Sequence, residues 1–155
     1  MSVLWDWSVR AWSAEGVADA CLHLQDAAGQ CPPLLLWAAW AARTGRALDD
    51  DAVEAGCDIA RAWQDAAIAP LRELRRGLKR RNPDLEDDDR EAIRAQVKAV
   101  ELDAERRLLA SLEREAPAPA GPPRPVLEAL VAVSRRWSAT VPRAGLTELA
   151  GRLPA

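Results

Sequence analysis

Eleven consecutive residues, Pro32 to Ala42, carry no charge, and a helix over Leu34 to Ala42 is apolar on every side. A helix without a polar face has to be surrounded by the rest of its chain. The run falls well short of the roughly 20 apolar residues that cross a bilayer, so it predicts a buried helix and no membrane insertion. A chain of 155 residues is long enough to supply the surroundings as one core, without disulfide or metal staples.

The remaining pattern predicts an all-α chain. No stretch alternates with period two, and β-branched residues stand singly among Ala and Leu, which favour helix. Ser2 suits the cap of a first helix, with Leu4, Trp5, Val9 and Trp12 read as its apolar side. A second helix from about Gly16 carries Val17, Ala20, Cys21, Leu24 and Ala28, and Gly29 is placed to stop it. Pro32 and Pro33 suit the first turn of the apolar third helix, which Arg43 and Gly45 end. The fourth starts at the acids Asp49, Asp50 and Asp51 and runs to about Arg81, with Ile59, Trp63, Ala67, Leu71, Leu74 and Leu78 as its stripe. Pro70 inside it predicts a kink or a break near Ala66 to Ala69. After the Asn82-Pro83 turn, a fifth helix from about Asp88 to Arg114 carries Ile93, Val97, Val100, Ala104, Leu108 and Leu112.

These signals give an irregular bundle of about five main helices over residues 1–115, packed around the apolar third. Residues 116–125 are proline-rich and read as a stiff, extended linker. Residues 126–155 read as a tail of one or two helices, with Leu127, Leu130, Val131 and Trp137 as the apolar positions of the first.

Words in the first part of the chain resemble a family of small proteobacterial proteins known only as a domain of unknown function. They are LWDW at Leu4 to Trp7, GVADACLHLQD from Gly16, LLLWAAWAARTGR from Leu34, PLRELRRGLK from Pro70 and ELDAER from Glu101. The resemblance spans about residues 3–112, in matching order. It departs at Glu15, where the pattern has proline. It implies no activity, cofactor or site residue.

Composition excludes more than it names. The net charge of -3 gives no general attraction to nucleic acid. Cys21, Cys31 and Cys57 are irregularly spaced, and the chain opens on no secretory pattern, so a cytoplasmic location is expected. The cysteines lack the paired spacing of a zinc site and His23 is the single histidine, so neither a metal nor a cofactor is expected. His23 lies opposite the apolar stripe of its helix and reads as a surface residue. The aspartate groups at Asp49 to Asp51 and Asp87 to Asp89 start helices, which explains them as caps. There is no nucleophile elbow or glycine-rich phosphate loop, and the balance is against an enzyme.

Three constellations are left. Arg72, Arg75, Arg76 and Lys79 belong to a stretch, Arg72 to Arg81, of net charge +5, and Asp84 to Glu91 across the turn carries -5. Mutual neutralisation is the first reading, an acidic protein partner the second and nucleic acid the third, since no aromatic residue is interleaved for base stacking. Glu101 falls within the apolar stripe of the fifth helix, where a carboxylate is costly unless paired. An ion pair with Arg72, Arg75 or Arg76 accounts for it; an acid–base group with Glu105 as companion is the sharper alternative. Trp5, Trp12, Trp37, Trp40 and Trp63 recur on apolar faces. In a chain with seven Trp and neither Phe nor Tyr, core filling explains them first and a groove for a partner helix or apolar ligand second. The reading is a non-enzymatic interaction or small regulatory protein whose partner is another protein or a second copy. A ligand-binding protein or enzyme built on Glu101, then a weak nucleic-acid binder, are the alternatives.

Overall fold

A computed structural model describes residues 2–155 and is all-α, with no strand among the described residues. Helix α1 (Val3–Ser13) begins at Ser2, whose Oγ accepts from the Trp5 N–H at 3.1 Å. Glu113, 111 residues further along, completes that cap, accepting from Ser2 Oγ at 2.6 Å and from the Leu4 N–H at 3.0 Å. Helix α2 (Val17–Ala28) ends at Gly29, whose φ of 63° is a left-handed conformation that glycine adopts without penalty. Helix α3 (Pro32–Arg43) opens on its two prolines, and every residue from Pro32 to Ala42 is buried.

Helix α4 (Asp50–Trp63), capped by Asp49, continues through a π-helical turn (Gln64–Ile68) into α5 (Ala69–Lys79) without leaving helical conformation. The turn is the irregularity Pro70 demands. Where proline withholds its N–H, the ladder widens, and Ala69 donates five residues back, to the Gln64 carbonyl. Helix α6 (Asp87–Glu115) returns antiparallel to this rod, followed by α7 (Val126–Trp137) and α8 (Arg143–Arg152).

Helix α3 lies at the centre, packed by α1, α2, α4, α6 and α7. The wall facing it on α4 consists of Val53, Gly56, Cys57 and Ala60 rather than the larger stripe from Ile59 to Leu78. The reason is a close approach: a Cβ at Gly56 would lie 2.5 Å from the Trp37 ring. Trp37 fills the core at some cost, because its buried indole N–H meets no acceptor.

Residues 116–125 are extended and pinned to the end of α3. The Ala120 N–H donates to the Gly45 carbonyl at 3.0 Å, the Arg124 N–H to the Ala42 carbonyl at 2.8 Å, and Arg46 to the Pro117 carbonyl at 2.9 Å. Beyond this strap α7 packs on α3 and α4, and α8 on α2. Leu130, Val133, Leu146 and Leu149 are fully buried in the same core.

One part of the molecule has almost no core. Across residues 77–100, the outer ends of α5 and α6 and the turn between them, Arg90 is the single buried residue. Its guanidinium donates to the Leu78 carbonyl at 2.6 Å and to Glu91 at 2.8 Å, and so caps α5 from the side.

Candidate functional site

Helix α1 carries two apolar stripes. Leu4, Trp7, Ser8 and Ala11 face the core. Of Trp5, Val9 and Trp12, all expected to face inward, Val9 and Trp12 turn outward and are exposed, while Trp5 is half-buried against the edge of the core. They do not face open water alone, because they form one wall of a cleft of about 360 Å³. Leu22 of α2, Pro32, Pro33 and Leu36 of α3, and Leu102 and Leu109 of α6 complete its apolar sides. Ser8, Gln25, Arg72, Arg75, Glu101 and Glu105 supply its polar part.

Glu101 is 7% exposed. Arg75 Nε donates to its Oε2 at 2.6 Å and Arg75 Nη2 to its Oε1 at 3.3 Å, a two-pronged pair that satisfies a buried carboxylate. Hydrogen bonding to Glu101 raises the Arg75 pKa further. Arg72 sits 3.4 Å from Glu101 and 3.7 Å from Glu105. Its buried Nε makes no hydrogen bond. Glu105 likewise has no hydrogen-bond partner among the described residues, and desolvation, followed by repulsion from Glu101, pushes its pKa up to about 6. The Ser8 hydroxyl, buried and lining the same cleft, is also without a partner. The cleft thus pairs apolar walls with one saturated ion pair, two buried polar groups without partners, Ser8 Oγ and Arg72 Nε, and the desolvated Glu105.

The other expected residues are dispersed. Arg76 turns away to Asp26 at 3.0 Å. Lys79 is exposed and in no ion pair among the described residues. Trp37 and Trp40 belong to the core rather than to the cleft, the consequence of an α3 buried all round. Trp63 is half-buried against the core, also outside the cleft. Of the five tryptophans, Trp5 and Trp12 line it, and Arg106 stacks on the Trp5 ring at 5.3 Å.

His23 is exposed. The three cysteines are buried free thiols, pushed up to about 12 at Cys21 and about 11 at Cys31 and Cys57 by loss of solvent. Such thiols carry little thiolate at neutral pH. No group of three metal-ligating side chains occurs among the described residues, and none of their helices is long and apolar enough to cross a membrane.

An all-helical fold with an apolar cleft over a carboxylate–guanidinium cluster defines the class. Residues 3–112 match the family model described as "Protein of unknown function (DUF2390)", and the chain belongs to that family. Neither the curated proteins nor the solved structures contain a match. Every residue lining the cleft falls within the matched span; α7, α8 and the strap fall outside it.

Proposed function

We propose that this is a binding protein without a catalytic role, an adaptor or small regulator whose cleft receives an apolar segment of another protein. The observation that carries this reading is the mouth of the cleft. Val9, Trp12, Leu22 and Leu102, all among the exposed large hydrophobics, line it. Contiguous exposed apolar surface of this kind marks association sites, and aromatic anchors beside a pocket are the usual centre of such interfaces. The basic face offers little to a nucleic-acid backbone, since Arg72 and Arg75 face Glu101 and Arg76 faces Asp26.

Photo-cross-linking tests the reading: a cross-linking amino acid replaces Leu102 and, as a control, Glu128 on the opposite side of the bundle. Protein adducts are expected at position 102, absent at 128, and lost when Trp12→Glu is added. Absence of protein adducts at position 102 rejects it.

A second reading has its own observation. Ser8 Oγ and Arg72 Nε are buried without hydrogen-bond partners, beside a desolvated Glu105, as in a site for a small amphipathic molecule. Native mass spectrometry of protein drawn gently from cells separates the two: a bound small molecule lost on Glu105→Ala favours this second reading.

A further inference from the structure

Two walls of the cleft repeat one order of side chains. On α1, Trp5 and Trp12 line it with Ser8 between them; on α6, Leu102 and Leu109 line it with Glu105 between them. Both outer pairs are spaced seven residues apart, about 10 Å at about 1.5 Å per helical residue. Each wall is therefore apolar at its ends and polar at its middle. An occupant of matching pattern has apolar groups at both ends and one polar group between them.

Charge in the cleft is balanced. Arg75 holds Glu101 at 2.6 Å and Arg72 stands 3.7 Å from Glu105, so two guanidiniums answer two carboxylates. Arg106, on the Trp5 ring, is exposed and outside the lining. A charged group entering here is buried without a counter-charge of its own, which is costly. Hydrogen bonding, by contrast, is incomplete. The Ser8 hydroxyl, 4% exposed, and the buried Arg72 Nε have no partner. The Glu105 side chain is 28% exposed, so an occupant that takes the place of solvent there has to supply a donor.

A neutral group with both a donor and an acceptor meets these demands. A primary amide has them on different atoms, two N–H donors on the nitrogen and a carbonyl oxygen beside it, as polar groups on two separate walls require; a hydroxyl puts both on one atom. We propose, on the footing that the cleft receives a segment of another protein, that this segment carries an asparagine or glutamine at its middle and apolar residues to either side. The amide N–H donates to Glu105, and the carbonyl accepts from Ser8 or Arg72. Charge balance disfavours an ammonium or a carboxylate at that point, and the bare polar groups of Ser8, Arg72 and Glu105 disfavour a wholly apolar residue.

Four fragments with one ring and different polar ends test the chemistry: benzamide, benzyl alcohol, benzoate and benzylamine. Each is titrated into the isotope-labelled full chain well above the Glu105 pKa of about 6, and binding is followed by NMR at the indole N–H signals of Trp5 and Trp12. Benzamide is expected to bind with a Kd of about 1 mM, in the range for a ligand of its size, and each of the others at least about tenfold more weakly. Ser8→Ala is expected to weaken benzamide about fivefold. Glu105→Gln, which leaves Arg72 without its carboxylate, is expected to move the preference to benzoate. Both variants are checked for folding by circular dichroism. Another fragment binding wild-type protein as tightly as benzamide overturns the proposal. Benzamide binding unmoved by both variants, or no shift of either indole by any fragment, overturns it too. Protein adducts cross-linked at position 102 stand unaffected by those results, so the partner reading survives them. Amide preference without such adducts also overturns the proposal, since the amide then belongs to a small molecule.

Discussion

Helix α3 is buried at every residue from Pro32 to Ala42, whereas across residues 77–100 of the α5–α6 hairpin Arg90 alone is buried. Apolar contact on all sides holds the first. The second depends on helix propensity, on ion pairs at the surface and on one guanidinium capping the end of α5. Helix formed without tertiary cover is only marginally stable, so one chain contains a rigid centre and an extension that opens easily. The cleft lies where the two meet, walled by α1 to α3 on one side and by the bases of α5 and α6 on the other.

One substitution in each region gives the largest contrast. Leu34→Ala, at a fully buried site, is expected to cost about 2–5 kcal/mol in urea unfolding. If it costs under about 1 kcal/mol, α3 is not the centre of stability. Arg90→Met removes the donors from the Leu78 and Lys79 carbonyls and is expected to cost about 1–3 kcal/mol. That loss should appear as faster hydrogen exchange over residues 77–100, with the global unfolding midpoint nearly unmoved. Equal losses in both measurements break the comparison by making centre and hairpin one cooperative unit.

Glu105 sharpens it at the boundary. Its pKa is raised in the folded state, from 4.5 to about 6, so the folded protein binds this proton more tightly than the unfolded chain. The associated stability is fully present below pH 4.5 and is lost as the pH rises through about 6. Glu105→Gln should therefore stabilise by about 1–2 kcal/mol at pH 7, and the gain should vanish near pH 4.5. A gain independent of pH assigns the effect to packing. Smallest of all is Leu74→Ala, which at half exposure should change the stability by no more than about 0.5 kcal/mol.

Local signals in the sequence marked the ends of helices and failed to show their rotation. Ser2, Gly29, Pro32 and Asp49 act on the nearest turn of backbone, so their roles could be read one residue at a time. On α1, Leu4, Trp7 and Ala11 recur at spacings of three and four, and so do Trp5, Val9 and Trp12. Both sets satisfy the helical period, and which one meets α3 is settled by helices distant in sequence. On α4 the larger side chains Ile59 and Trp63 pack only at the edge of the core, because contact with the Trp37 ring requires Gly56 rather than a bulky residue on the innermost face. The Glu101 cluster was visible because a carboxylate interrupts an apolar stripe. Ser8 and Leu22 carried no such signal, being ordinary residues that only the assembled cleft brings together. Arg90 was hidden inside an acidic run that gave no hint of its burial.

The packing of α7 on α3 has a consequence for synthesis. Roughly ninety residues separate the two helices, so at translation rates of about 5–20 residues per second the outer side of α3 waits some 5–20 s for its cover. During that interval the most apolar helix of the chain has one side bare. Its first companions are α1, α2 and α4, which are made just before and just after it. The nascent protein therefore passes through a stage in which its centre exists and its last wall does not.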